Sequence, residues 1–287
     1  LQWNKFSKVQ LDSFNGTNET ESRLLFQTKL KPIDFKDKII LEVGSGNGRF
    51  TEILLKYGAK VVTVDYSDAI GANIINHGNQ RDVIFLQADL FNLPLSFKSF
   101  DIVICFGVIQ HTGNNMEAIN QLLKFPKKNG LLAIDIYSNE IKFFNPWIYL
   151  LRPFFLLFKI SQEKKFALIT KFVKSIFPFQ LWILSKIYNR RGFWTIIRYI
   201  INRSPNSVYG INLYLSKKIT KQLAFDWSVM DTFDSYAATH DHPVSKKKWK
   251  YMTSKLAKEN NFKVISLGQS GQGNFAVLVN EIIKSVV

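Results

Sequence analysis

Short apolar runs alternate with amphipathic stretches along residues 38–136 of the chain. The runs are rich in β-branched and aromatic residues, which favours strands. They lie at 38–43, 60–65, 82–87, 99–106 and 131–136. Between them, apolar residues recur at helical spacing, as at Phe50, Ile53 and Leu54. Strands that alternate with helices in this way predict a parallel, doubly wound α/β sheet.

The sequence on either side of this alternation predicts further regular elements. Residues 19–28 favour a short helix, and residues 244–259 favour a long helix that begins at Pro243. Two strands are then predicted at 262–267 and 274–279.

Two stretches are expected to be irregular. Asn129-Gly130 is a typical turn dipeptide and stands just before the fifth strand. Residues 226–236 mix acids with aromatic residues and lead to His240 and His242. We interpret them as a polar loop.

A glycine-rich turn follows the first strand. Glu42 precedes glycines at 44, 46 and 48, and Ser45 lies among them. Glycines that lack a Cβ allow a ligand to approach the backbone at the N-terminus of the next helix. A dinucleotide-binding turn would need a further glycine where Arg49 stands, so that reading fails. Asp65 ends the second strand 21 residues after Gly44, close to the spacing of an acid that binds ribose hydroxyls (~20 residues).

Charge divides the chain unevenly. The formal net charge is +16, and residues 141–220 hold 14 Lys or Arg against one acid, together with 18 of the 41 aromatic residues. Pro146, Pro153 and Pro178 are expected to interrupt a series of helices there. The apolar runs of these helices are shorter than the ~18–20 uncharged residues that are needed to span a bilayer. This composition indicates that the segment is an insertion with a function separate from that of the sheet.

Three explanations of the insertion stay open. It could be a helical lid with a solvated basic rim, a surface that rests on an anionic membrane, or a nucleic-acid-binding surface. The apolar content ranks the lid first, the membrane second and nucleic acid third. We therefore divide the chain into four parts: an N-terminal cap at 1–37, a core at 38–138, the insertion at 139–220 and a completion of the core at 221–287.

The single cysteine rules out an intramolecular disulfide and favours a reducing compartment. Cys105 lies in an apolar strand and is expected to be a buried structural thiol. The chain starts with a polar, mixed stretch, so we expect a cytoplasmic location, with peripheral attachment to a membrane as the option that the insertion offers.

The order of these motifs resembles that of class I S-adenosylmethionine (SAM) methyltransferases, and more narrowly the methyltransferase type 11 group. The match covers residues 38–136. Its segments are Glu42-x-Gly-x-Gly-x-Gly, Asp65, Ala88-Asp89-Leu90 with Leu93-Pro94, Phe100-Asp101-Ile102-Val103, Gly107-Val108-Ile109-Gln110-His111 and Lys128-Asn129-Gly130. Gln110 stands where the group has a first histidine, and Lys128-Asn129-Gly130 replaces Pro-Gly-Gly. The resemblance implies a Rossmann-like sheet of seven strands whose last strand is antiparallel.

The resemblance also implies a set of cofactor contacts. Glu42 would bind the methionine amino group, Asp65 the ribose hydroxyls and Asp89 the adenine amine. Leu90 would offer its backbone N–H to the adenine ring, and Phe106 would line the methionyl end. The remaining residues expected around the cofactor are Gly44, Ser45, Gly46, Gly48 and Tyr66, with Arg23 as a clamp for a ligand carboxylate.

The predicted reaction is methyl transfer by in-line displacement. Because the donor is already activated, the protein mainly orients donor and acceptor. A hydroxyl acceptor would need a base, and His111, His240 and His242 are the candidates, with His111 preferred by its position. We expect O-methylation of a small-molecule, saccharide or lipid-linked acceptor, without a metal. An RNA or DNA methyltransferase and a non-catalytic, membrane-associated module are the alternatives.

Overall fold

The computed structural model describes residues 5–140, 145–157, 160–238, 240–271 and 273–281. The chain divides into two compact units. The sheet unit comprises residues 18–143 and 240–287, and the helical unit comprises residues 1–17 and 144–239.

Seven strands form one sheet in the sheet unit. They are β1 (Ile39–Val43), β2 (Lys60–Asp65), β3 (Val83–Gln87), β4 (Phe100–Cys105), β5 (Pro126–Tyr137), β6 (Phe262–Ser270) and β7 (Gly273–Asn280). The order across the sheet is β3-β2-β1-β4-β5-β7-β6. The pairs from β3 to β5 are parallel, and β7 runs antiparallel to both β5 and β6. The Rossmann-like sheet with an antiparallel last strand is thus confirmed.

The α-helices that the structure describes fall in both units. They are α1 (Asp12–Asn15), α2 (Glu19–Thr28), α3 (Arg49–Lys56), α4 (Ile70–His77), α5 (Asn115–Leu122), α6 (Pro146–Leu157), α7 (Gln162–Ile187), α8 (Phe193–Ile201), α9 (Tyr209–Leu215), α10 (Lys221–Ala237) and α11 (Lys246–Glu259). The helix expected over 19–28 is confirmed as α2. The helix α11 begins later than expected, because Ser245 rather than Pro243 provides its N-terminal cap by accepting from the amide of Lys248.

Both faces of the central strands are buried, which explains why these strands are apolar throughout. Ile40 and Ile104 belong to one buried cluster, with Leu24 and Phe35. On alternate positions, Leu41, Val103 and Cys105 belong to a second, with Trp249 of α11. Cys105 is a free, fully buried thiol, as predicted, and burial raises its pKa far above the usual range.

The turn predicted at Asn129-Gly130 is wrong. Both residues lie inside β5, where the pairing with β4 shifts register between Phe100 and Ile102. Asn129 takes the left-handed conformation (φ 60°), and a Cβ on Gly130 would lie 2.9 Å from the carbonyl oxygen of Phe100. The Asn-Gly pair usually marks a chain reversal, but in this strand it forms a bulge.

The division of the chain differs from the one expected from composition. The helical unit extends to residue 239, beyond the predicted boundary at 220, and it includes residues 1–17. The loop predicted at 226–236 is wrong, because these residues form most of α10. Trp227, Met230 and Phe233 recur at helical spacing and are buried in the core of the helical unit, so tertiary packing outweighs the polar composition.

Two of the expected proline breaks are also wrong. Pro153 lies within α6, and Pro178 lies within the 26-residue α7. The buried stripe of α7 includes Val173, Phe177 and Leu184 and so continues across Pro178, which indicates that packing compensates for the missing backbone donor.

The continuity of α7 has a further consequence. By length and composition alone, it is the one helix among the described residues that could cross a membrane, and 28% of its apolar window is buried within the protein. Core helices of soluble proteins meet the same criterion, so this is weak evidence for a span.

The helical unit has a polar cluster in its interior. Gln180 of α7 and Asn206 exchange two amide hydrogen bonds of 2.6 and 2.7 Å. Asn206 also donates to the hydroxyl of Ser228 on α10 at 3.2 Å. All three residues are buried, so the cluster fixes how these segments pack.

Candidate active site

The three predicted acids lie at the same edge of the sheet. Glu42 is near the end of β1, Asp65 ends β2, and Asp89 follows the end of β3. The register places Glu42 beside Thr63 and Asp65 beside Gln87, in three parallel and adjacent strands. The carboxyl ends of neighbouring parallel strands are where such sheets bind ligands.

Glu42 is buried and only half satisfied. Its Oε2 atom accepts hydrogen bonds from the hydroxyls of Thr51 at 2.5 Å and Thr63 at 3.2 Å. Its Oε1 atom is buried and has no hydrogen-bond partner among the described residues. Burial raises the pKa of Glu42 to about 7, against the opposing effect of the two threonines. A buried, unpartnered carboxylate oxygen at this edge fits the amino group of a bound ligand.

Asp65 connects the glycine turn to the second strand. Its Oδ2 atom accepts from the amide of Gly46 at 2.8 Å, and its Oδ1 atom accepts from the amide and hydroxyl of Ser67 at 2.9 and 2.7 Å. Each carboxylate oxygen has more than one lone pair, so Asp65 keeps acceptor capacity for a ligand hydroxyl. Tyr66 beside it is 77% exposed.

Asp89 shapes the turn after β3. Its Oδ1 atom accepts from the amide of Phe91 at 3.0 Å and so begins the short 3₁₀ turn Leu90–Asn92. The side chain of Leu90 is buried in the core below. This geometry positions residues 89 and 90 at the sheet edge, where the resemblance implies that they contact adenine.

The glycine turn serves packing as well as access. Gly44 and Gly48 have φ of +77° and +85°. A Cβ on Gly44 would lie 2.1 Å from Cγ2 of Val108, and one on Gly48 would lie 2.1 Å from Oδ1 of Asn73. Protein side chains thus lie where the Cβ atoms of these two glycines would be, so both positions also need glycine for packing, and the approach of a ligand to this turn stays a prediction. Ser45 is buried in the same turn, and its hydroxyl has no partner within the described part of the chain.

Asp135 is a site residue that the sequence reasoning missed. It is 2% exposed, and its Oδ1 atom accepts from the amide of Gly107 at 2.5 Å. Its Oδ2 atom accepts from Arg23 at 2.6 Å and from Gln27 at 3.0 Å. An acid in the apolar run 131–136 was the signal that could have revealed it.

Arg23 is therefore an ion-pair partner of Asp135 and lies at the carboxyl ends of β4 and β5. Its side chain is 30% exposed, and its guanidinium also lies 5.6 Å from the centre of the Phe50 ring. Phe50 in turn contacts Phe106 edge-to-face at 5.3 Å. Arg23 and Phe106 thus belong to one cluster beside the glycine turn. The clamping of a ligand carboxylate by Arg23 stays a prediction.

The three candidate histidines also lie together. Nδ1 of His111 is 2.7 Å from the carbonyl oxygen of His240. A carbonyl oxygen only accepts, so Nδ1 carries the proton and the neutral ring keeps its lone pair on Nε2. The Nε2 atom makes no hydrogen bond to the rest of the described chain. The ring of Tyr137 contacts His111 edge-to-face at 5.8 Å.

The segment that carries His240 and His242 is held by its backbone. The amide of His242 donates to the carbonyl of Gln110 at 2.9 Å, and its carbonyl accepts from Asn115 at 2.8 Å. The rings of His240 and His242 stack with centres 6.1 Å apart. Backbone contacts thus orient His111, while the other two rings take no part in that hydrogen bonding.

Among the residues that the structure describes, His, Cys, Asp and Glu form no cluster of three or more that could hold a metal ion.

The sheet order, the glycine turn and the acids at the carboxyl ends of three adjacent strands match the Rossmann-like methyltransferase fold, whose members use S-adenosylmethionine as cofactor. The free Oε1 of Glu42 and the open acceptor capacity of Asp65 fit the amino group and the hydroxyls of that cofactor.

Comparison with known proteins agrees with this class. Residues 41–134 match the model of a methyltransferase domain family. Ubiquinone biosynthesis O-methyltransferase of Coxiella burnetii is 28% identical over 145 residues, which cover 48% of this chain and 62% of that protein. The tRNA U34 carboxymethyltransferase of Ruthia magnifica subsp. Calyptogena magnifica is 34% identical over 150 residues, which cover 47% and 44%. The chain therefore spans only part of the length of these relatives.

One solved structure shares the fold over nearly the whole chain. It is a chain from the complex between the Haloferax volcanii Trm112 methyltransferase activator and a methyltransferase. The TM-score is 0.53 at 8% identity, with 98% of this chain and 96% of that chain covered.

Proposed function

We propose that the protein transfers a methyl group from SAM to an oxygen of a small-molecule, saccharide or lipid-linked acceptor. The observation that carries the proposal is the imidazole of His111, which is held through Nδ1 and presents Nε2 as a base. The name of the Coxiella relative, an O-methyltransferase, supports the same chemistry. A cytoplasmic location remains a prediction from the single cysteine.

SAM supplies a methyl group on a positively charged sulfur, so the acceptor oxygen needs only to be oriented and deprotonated. Nε2 of His111 would take the hydroxyl proton as the oxygen–methyl bond forms and the sulfur–methyl bond breaks, which would leave S-adenosylhomocysteine and an imidazolium. The imidazolium that forms keeps its Nδ1–H bond to the carbonyl of His240, and that bond strengthens as the ring becomes charged. Glu42, as a carboxylate, would hold the amino group of SAM, and Asp65 would accept from its ribose hydroxyls.

The test of the base is the substitution of each histidine. We expect His111→Ala to lower methyl transfer by about 10²–10⁴-fold, because that is the usual contribution of a positioned base. His240→Ala and His242→Ala should have much smaller effects, since only the backbone of His240 contacts His111. Transfer from tritiated SAM to phenols, saccharides and lipid-linked hydroxyl compounds measures this.

Calorimetry with S-adenosylhomocysteine provides the control, because all three variants should bind it as the wild-type protein does. Turnover of His111→Ala within about threefold of wild type would remove the base from the mechanism. No binding of either SAM or its demethylated product would remove the enzymatic function as a whole and favour a non-catalytic module.

A basic surface favours RNA as a second acceptor class. Lys247, Lys250, Lys255 and Lys258 line one exposed groove along α11. The Ruthia relative bears the name of a tRNA-modifying enzyme. Binding to tRNA that weakens steeply with salt, and that falls in Lys250→Glu, would support this alternative. Absence of tRNA binding at low salt would dismiss it.

A further inference from the structure

Helix α8 presents an apolar surface that the helical unit does not cover. The helix reads Phe-Trp-Thr-Ile-Ile-Arg-Tyr-Ile-Ile, and none of its residues is buried. Phe193, Ile196 and Ile200 are 66%, 57% and 59% exposed and follow one another at helical spacing. Ile197 and Ile201 instead pack partly against the core of the helical unit. The helix is thus attached along one side and bare along another.

Arginines surround this bare ridge. Arg190 lies over the ring of Trp194 at 4.8 Å, and Arg203 lies over the ring of Tyr199 at 3.4 Å. Arg191 precedes the helix and is exposed. Residues 188–208 contain four arginines and no acid. Aromatic rings stacked under guanidinium groups are amphipathic and suit a boundary between water and an apolar phase.

We propose that α8 docks the protein on an anionic lipid bilayer, with its isoleucine ridge among the acyl chains and its arginines at the headgroups. The arginines around the isoleucine ridge favour an anionic partner over a second copy of this chain, because a second copy would bring two sets of arginines together. The aliphatic side chains at 196 and 200 neither stack on bases nor contact phosphates, so the ridge is unsuited to nucleic acid. At nine residues the helix is too short to cross a bilayer, which needs ~20 residues, so it lies in the interface.

The experiment measures co-sedimentation of the full chain with phosphatidylcholine vesicles, with and without phosphatidylglycerol. We expect binding to the anionic vesicles and much weaker binding to the neutral ones. Ile200→Glu should lower the partition coefficient about tenfold or more, because it places a charge in the acyl region. Its matched control is Ile33→Glu, which changes an isoleucine 68% exposed in the sheet unit and should bind as the wild-type protein does.

A second pair of variants tests the electrostatic part. Arg191→Glu should weaken binding to the anionic vesicles about tenfold, whereas Lys247→Glu, with the same change in net charge on α11, should leave it nearly unchanged. Circular dichroism and S-adenosylhomocysteine binding of each variant identify any loss of folding.

Three outcomes would overturn the proposal. They are failure of the wild-type chain to bind anionic vesicles, an equal loss in both members of either pair, and a dimer in light scattering that Ile200→Glu dissociates without any vesicle binding. The last result would assign the ridge to a contact between copies. Because methyl transfer is measured separately, failure here leaves the proposed reaction intact.

Discussion

Burial gives Glu42 an unusual protonation behaviour. Its pKa is raised to about 7 from an ordinary value of 4.5 because the carboxyl is buried. In the free protein this group therefore stabilises the fold fully below pH 4.5, and that contribution is lost as the pH rises through about 7. The amino group proposed to bind at Oε1 would favour the carboxylate, so we expect binding to release a proton near neutral pH.

We expect the affinity for S-adenosylhomocysteine to rise by up to about tenfold per pH unit below pH 7 and to level off above it. Calorimetry in buffers of different ionisation enthalpy measures the proton released. Glu42→Gln should bind more weakly and lose the pH dependence.

Thr51 provides an independent check on the same group. Its hydroxyl hydrogen bond lowers the pKa of Glu42, so Thr51→Val should move the midpoint of the binding curve to higher pH. If the affinity of Glu42→Gln for S-adenosylhomocysteine rose with pH as steeply as that of the wild-type protein, a group other than Glu42 would be titrating.

At the scale of elements, the glycine turn is held by contacts from two neighbours. Val108 after β4 fills the space beside Gly44, and Asn73 of α4 fills the space beside Gly48. Asn73 also donates to the hydroxyls of Thr51 and Thr63, which in turn donate to Glu42. The turn, the helix and the acid are therefore one packed arrangement.

We expect Gly48→Ala to destabilise the protein by about 2–4 kcal/mol, since it combines a left-handed backbone with a steric clash. Urea unfolding measures the loss. Gly71→Ala is the matched control: Gly71 lies in α4 with nothing within 4 Å of its Cβ position, so alanine there should be neutral or stabilise by up to about 1 kcal/mol. Equal effects of the two changes would contradict the packing role.

Periodicity predicted the sheet unit well, because its strands are buried on both faces and leave a clear apolar signal. The strand at 60–65 and the helix at 19–28 have the bounds expected of them. The helix at 226–236 was missed because four polar or acidic residues, Asp226, Ser228, Asp231 and Asp234, mask its buried stripe.

The site was only partly predictable for a related reason. The acids of β1 to β3 stand at motif positions, so sequence indicates them. The Asp135–Arg23 pair joins residues 112 positions apart, and no local pattern reveals such a contact. The carbonyl of His240 that fixes the ring of His111 is likewise 129 positions away.

At the scale of the whole molecule, the two units have separate cores. The interior of the helical unit contains the amide pair of Asn206 and Gln180. Each unit can therefore be perturbed from within.

We expect Asn206→Ala to cost about 2–4 kcal/mol in the helical unit, because it leaves Oε1 of the buried Gln180 without its donor. Hydrogen exchange should speed up in α7 and α10, while the affinity for S-adenosylhomocysteine stays the same. Asn202→Ala changes an exposed asparagine and should alter stability by less than about 0.5 kcal/mol. Faster exchange throughout β1 to β5 in Asn206→Ala would show that the units unfold together.

The chain leaves the sheet unit after residue 143 and returns at His240, the residue whose carbonyl holds the imidazole of His111. The orientation of the His111 ring thus depends on where the chain re-enters the sheet unit after the long helical segment. We expect that a foreign helical segment between these two points would leave the strand order unchanged but would turn the His111 ring, and so alter the proposed proton transfer, unless His240 returned to the same place.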